Sequence, residues 1–248
     1  MNVSSEKYWG VITGDFIGFS DLDVSIRRRM PQLVADAGNA LCDALGPVMP
    51  WDVDIYRGDE WQALISDPVL VLRAALFFRA YIIMSVDGDV DMRMAIGIGP
   101  IDYVPAGNVA AGDGPAYRVS GKLLEAMTQP RHGRIRCAFA HTPQSTFAIP
   151  DAHLPDEDLV DTLVRLVAAL GGDWRNRQAR AVVGAIRGWT QEQIARSWPG
   201  HISRQGVGRH LRKAGWDDAL HALGVFERKV AVFAKQGKRS EINPLPSG

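Results

Sequence analysis

Residues 8–20, Tyr8-Trp9-Gly10-Val11-Ile12-Thr13-Gly14-Asp15-Phe16-Ile17-Gly18-Phe19-Ser20, decide the fold. The run from Tyr8 to Phe16 is apolar and rich in strand formers and stops at Gly14-Asp15, so it reads as a strand that delivers a carboxylate to its end. Asp21 to Leu45 follows with Ile26, Met30, Leu33, Val34, Ala37, Leu41 and Leu45 at helical spacing. Two short strand-like runs, Asp52 to Arg57 and Glu60 to Ser66, flank Gly58-Asp59 and predict a hairpin with carboxylates at its tip. Further out come a helix over 69–86, a strand over Asp91 to Tyr103 with glycines where backbone or ligand approaches closely, a helix over Pro115 to Met127, and a last strand over Ile135 to Ala140.

The order βαββαβ, extended by an αβ unit, predicts an α/β (α+β) domain of the ferredoxin-like palm type, with an antiparallel-containing sheet and helices on one face. Its expected extent is 1–148. A Pro, Asp and Glu cluster reads as a linker over 149–156, the pattern over 157–234 is helical throughout, and 235–248 reads as a flexible tail.

Composition bounds the class. The chain has 248 residues, 46% hydrophobic and 23% charged, which excludes disordered and fibrous proteins and suits two modest cores. Its zero net charge hides an asymmetry: residues 175–213 hold nine basic side chains against one acid, Glu192. Such a local excess is the footprint expected of a nucleic-acid contact surface. Cys42 and Cys137 stand far apart in apolar surroundings and read as buried free thiols, which points to the cytosol. The N-terminus lacks a signal-peptide pattern, and Val69 to Val86, interrupted by Arg73 and Arg79, reads as a core helix rather than a membrane span. A cytoplasmic protein with no membrane partner is the expectation.

In the split-βαβ layout the first strand and the hairpin pair side by side, so Asp15 and Asp59 are expected as neighbours. Adjacent carboxylates repel unless a cation lies between them, and hard oxygen ligands suit Mg²⁺ or Mn²⁺. Glu60, the next residue, should face the other side of its strand and form a surface ion pair. In the segment Ala110 to Lys122, Gly112, Gly114 and the Pro115 helix start predict outward backbone N–H groups suited to phosphate, with Arg118 and Lys122 adding charge and Asp113 reading a base or joining the acidic cluster. His132 and His141 have no partners at ligand spacing.

The segment DFIGFS resembles the first metal-binding segment of class III nucleotide cyclases, and YRGDEW is similar to the hairpin of GGDEF-type diguanylate cyclases. The fragments VITGDFIGFS, RGDEWQALI, MAIGIGPI, AAGDGPAYRVSGKLL and SRQGVGRHLRKAGW, in that order, resemble the SatD family over most of the chain. The resemblance implies a palm domain that binds a nucleoside triphosphate with Mg²⁺ or Mn²⁺. Its metal set is Asp15, Phe16 and Asp59, and its nucleotide set is Gly14, Gly18, Phe19, Gly58, Asp113, Gly114, Arg118 and Lys122. Ile55 and Glu125 stand where class III cyclases carry a base-recognising lysine and a transition-state asparagine, so the purine-cyclase machinery is not matched. Three readings follow: a nucleotide-binding regulator, an active cyclase or nucleotidyltransferase working as a homodimer, or a degenerate dimer module.

The C-terminal pattern is a helix-turn-helix. Arg177 to Gly188 reads as a helix, Thr190 with Gln193 is a capping box, Pro199-Gly200-His201 is the turn, and Ser203 caps a helix over Arg204 to Ala214. Val207 and Leu211 should point inward, and Arg204, Gln205, Gly208, Arg209 and Arg212 outward toward DNA. Arg187, Arg196 and Lys213 are placed for phosphates, with the caps Thr190 and Ser203 at the DNA-facing helix starts. This motif resembles the LuxR or sigma-factor class.

Overall fold

The structure is a computed structural model that describes residues 7–56, 58–105, 107–128, 137–141 and 157–237. The predicted linker 149–156, His132 and the last residues of the tail lie outside these. Strand β1 (Trp9–Phe16) is buried at all eight positions, which explains why its sequence is nearly continuously apolar rather than alternating. Tyr8, Ile12 and Phe16 pack on one side of the sheet, and Trp9 and Val11 on the other.

Helix α1 (Val24–Leu45) begins after a single 3₁₀ turn at Phe19–Asp21, because Asp23 accepts from the Ser25 amide at 2.7 Å and so fixes the cap. Strands β2 (Asp54–Tyr56) and β3 (Glu60–Ile65) form the hairpin, α2 (Val71–Ser85) returns across the sheet, and β4 (Met92–Gly99) pairs with β1. Helix α3 (Pro115–Thr128) leads to β5 (Cys137–His141). The sheet order is β2-β3-β1-β4-β5, antiparallel except for the parallel β4/β5 pair. This is the ferredoxin-like palm order with one added strand, as the element order predicts.

The helices do not share one face. Helices α1 and α2 cover the side lined by Ile12, Trp61 and Ile96, whereas α3 covers the side lined by Trp9, Val11 and Leu64. Gly97 permits this second layer: a Cβ there would stand 2.3 Å from the Ala116 carbonyl oxygen, so α3 can lie directly on β4 only because that side chain is missing. Helix α2 is a core helix, with Phe77, Phe78, Leu72 and Ile82 almost wholly buried. Each such side chain contributes roughly 1.5–3 kcal/mol by burial, as an upper estimate.

The C-terminal helices are α4 (Glu157–Leu170), α5 (Asn176–Ile186), α6 (Gln191–Arg196), α7 (Arg204–Lys213) and α8 (Trp216–Gly237). Helix α8 runs past the expected end of the helical region at 234. These helices pack on the sheet layer through α2, and one apolar cluster runs from Ile12 and Phe77 through Val182 and Val207 to Phe226. Polar contacts reinforce the junction: Arg79 donates to the Gly171 carbonyl at 2.7 Å, and Arg73 pairs with Glu227 at 2.7 Å.

Candidate functional site

Asp15 sits at the end of β1, directly between Glu60 on β3 and Arg93 on β4 in the pairing register. The Arg93 guanidinium grips it with two hydrogen bonds, Nε to Oδ1 at 3.0 Å and Nη2 to Oδ2. A forked, charge-assisted pair of this kind satisfies both carboxylate oxygens at once. Sequence reasoning missed Arg93, although its place in the strand MRMAIGIG next to the Asp15 strand was a usable signal.

Register also reverses the expected placement of the hairpin acids. Residues opposed across an antiparallel pair share a face, so Glu60 lies on the Asp15 side. Both line a cavity of ≈ 530 Å³ with Thr13, Tyr56, Gly121 and Glu125, and Asp59 is not in its wall. Asp59 instead meets β1 through its backbone carbonyl, which accepts from the Phe16 amide at 3.2 Å. Phe16 turns its ring into the core against Phe19. Behind the cavity, Thr13 Oγ1 is 2.8 Å from Ser120 Oγ and accepts from Gln62 Nε2 at 3.1 Å, which ties α3 to both central strands.

The acids supply oxygen chemistry suited to a hard cation, but of the set Asp15, Phe16 and Asp59 only Asp15 lines the cavity. Among the described residues, no three His, Cys, Asp or Glu side chains are grouped to hold an ion. Arg93 already neutralises the carboxylate with which a cation would have to start. The residues as placed therefore do not fit a two-metal centre.

The expected nucleotide glycines have other work. A Cβ on Gly14 would stand 2.4 Å from the Trp61 indole, so that glycine makes room for a buried ring on the α1/α2 side. Gly18 and Gly58 have positive φ and form turns. The predicted phosphate cradle before α3 is closed: the amides of Gly112, Asp113 and Gly114 donate to the Val109 carbonyl, the Tyr103 carbonyl and Asp113 Oδ1. Arg118 pairs with Asp113 at 2.7 Å and Asp102 at 3.3 Å, and these charges fasten the start of α3. Lys122 is exposed and outside the cavity wall. Nearby, burial and then the charge of Asp54 push the Tyr117 phenol upward.

Two capped helices, α6 and α7, form where the sequence predicts them. Thr190 accepts from the Gln193 amide at 3.3 Å and Ser203 from the Gly206 amide at 3.1 Å, so both caps are committed to their helices rather than open to a partner. Arg196, Arg204, Gln205, Arg209, Arg212 and Lys213 are exposed, and Val207 and Leu211 are buried. Two expectations fail. Gly208 faces inward, where a Cβ would stand 3.1 Å from the Gln191 side chain, because α6 and α7 cross there. Arg187 lies between the rings of Phe77 and Trp189, so its guanidinium packs at the junction instead of reaching outward. His210 stacks on Trp198, and burial followed by Arg177, Arg209 and Lys213 holds it below the usual imidazole range. The basic face therefore owes its charge to arginine and lysine. Cys137 is buried and its thiol is pushed up to about 12 by that burial, whereas Cys42 is only half-buried.

No family model and no curated protein matches the chain. Among solved structures, a bacterial light-regulated adenylyl cyclase is similar over 54% of this chain and 75% of its own, at 17% identity and a TM-score of 0.38. The adenylyl cyclase CyaB from P. aeruginosa is similar over 48% of this chain and 72% of its own, at 16% identity and a TM-score of 0.33. The palm assignment rests on the strand order and register described above.

Proposed function

We propose that the chain is a cytosolic DNA-binding regulator of the kind the SatD resemblance implies, in which the palm domain binds a nucleotide without turning it over. The observation that carries the reading is α7: behind two capped helix starts it leaves Arg204, Gln205, Arg209 and Arg212 exposed on one helix. Arginine and glutamine present the fork geometry that reads guanine and adenine edges, and Arg196 and Lys213 are placed to meet phosphates. The cavity beside Asp15, Glu60 and Glu125 is the proposed nucleotide site, with its acceptors suited to amino groups of a base. A cation accompanying a triphosphate would meet Asp15 only by displacing Arg93. A homodimer is part of the proposal, supported by Leu159, Leu166, Leu170 and Leu220, which remain exposed on α4 and α8.

Two measurements test it. Fluorescence anisotropy with duplex DNA should give a salt-dependent affinity that falls about tenfold in Arg209→Ala, with the salt slope reduced by about one. Unchanged affinity and slope in that variant remove α7 from the interface. Incubation with the four nucleoside triphosphates and Mn²⁺ should yield binding without cyclic or linked products, and product formation would favour the enzyme reading.

A further inference from the structure

A continuous polar tether runs from the end of β1 to the end of α7. The Ile17 amide, two residues beyond Asp15, donates to the Asp91 carbonyl at 2.9 Å. The Asp91 carboxylate accepts from Arg79 Nε at 2.8 Å, and Arg79 Nη1 donates to the Gly171 carbonyl at 2.7 Å. Arg79 also lies 5.6 Å from the Trp174 ring centroid, and the Trp174 indole donates to the Ala214 carbonyl, at the C-cap of α7, at 3.0 Å. The Ile17–Asp91 link lies on the sheet side and the Trp174–Ala214 link on the helical side, and Arg79 joins them through one guanidinium that bonds to both Asp91 and Gly171.

Two features separate this tether from ordinary packing. Arg79 is 2% exposed, and a buried guanidinium is costly unless its contacts are satisfied, as they are here by Asp91 and the Gly171 carbonyl together. Arg79, Asp91 and Trp174 also line a cavity of ≈ 280 Å³ between the two parts, which gives the ring and the loop at 171–176 room to change position. A second strut parallels the first: Arg180 donates to the Met84 carbonyl at the end of α2 and lies over Trp198, which stacks on His210 of α7.

We propose that Arg79 couples the candidate ligand cavity to the recognition helix, through Asp91 on one side and the Trp174–Ala214 hydrogen bond on the other. The inference rests on the regulator reading for its purpose but not for its geometry. Changes at Asp15 shift the start of β4 through Arg93, Asp91 moves with it, and Arg79 passes the shift to Trp174 and the end of α7. Such a contiguous network is a physical route for coupling, and its test is whether cutting a remote link silences the response.

The test uses full-length protein and hydrogen exchange of the backbone at 210–216. Asp15→Asn should change exchange there by about threefold or more. In a Trp174→Phe background, which keeps an aromatic side chain but lacks the indole N–H, the same Asp15→Asn substitution should produce no change. Arg79→Lys, which keeps the charge but cannot span both partners, should silence the response likewise. An unchanged exchange rate in Asp15→Asn, or an equal response with and without the Trp174 donor, overturns the coupling. DNA anisotropy on the same proteins is read separately: if no variant or parent binds DNA while the exchange response follows this pattern, the coupling stands and the regulator reading falls.

Discussion

The cavity on the α3 side of the sheet and the α6–α7 unit carry the two halves of the proposed function, and they are built differently. The caps and the turn of α6–α7 lie within a short stretch: Thr190 with Gln193, Gly200 in the turn, and Ser203 with Gly206. The cavity instead depends on β1, the hairpin, β4 and α3 meeting in one register. Helix ends set by local capping do not depend on strand register, whereas a site assembled across a sheet is exposed to any change that shifts a strand or lifts a helix.

The largest expected effect breaks the assembled region and spares the local one. Gly97→Val would drive a side chain into the Ala116 carbonyl and lift α3 from β4, at a cost of roughly 3 kcal/mol. Urea unfolding should report that loss, and a transition as stable as the parent's would show that α3 does not depend on the missing side chain at Gly97. The next effect sharpens the electrostatics of the cavity. Arg93→Met leaves Asp15 without its counter-charge, so Mn²⁺ affinity measured by electron paramagnetic resonance should rise about tenfold, or ~1.4 kcal/mol. Adding Glu60→Gln should cancel that gain, and adding Asp59→Asn should not. Cancellation by Asp59→Asn instead would mean that the hairpin acids have the roles first read from the sequence.

The smallest effect probes the local unit. Thr190→Ala removes the acceptor of the Gln193 amide and should cost about 1 kcal/mol in urea unfolding. Calorimetric binding at the cavity should be unaltered by it, and a parallel loss there would show that the two regions are less separable than their construction suggests.

Legibility followed the same division. Strand and helix identities along the chain were readable because apolar spacing is a local property: β1, α1, α2 and α3 fall within a few residues of the expected bounds. Their small displacements come from caps, as at Asp23. The carboxylate assignment was not readable in the same way. Asp59 carries the turn signal, but Glu60 carries the register, and a shift of one residue turns a side chain to the other face. The glycines misled for a related reason, since Gly14 and Gly208 look like ligand or surface positions until the neighbour that fills their space, Trp61 or Gln191, is known. The charges at Asp113 and Arg118 looked available in the sequence because their partners, Asp102 and each other, are chosen by the fold.

By itself, the sequence determined the order of elements, the palm-type topology that this order permits, and the capped helix pair with its basic face, because each is set by periodicity, turn chemistry or charge within a few residues. Only the tertiary structure decided that α3 covers the second face, that Glu60 rather than Asp59 stands beside Asp15, and that Arg93 and Arg79 hold the two carboxylates Asp15 and Asp91. Those outcomes depend on which distant residues are brought within a few ångströms, and hydrogen bonds and ion pairs act only at that range.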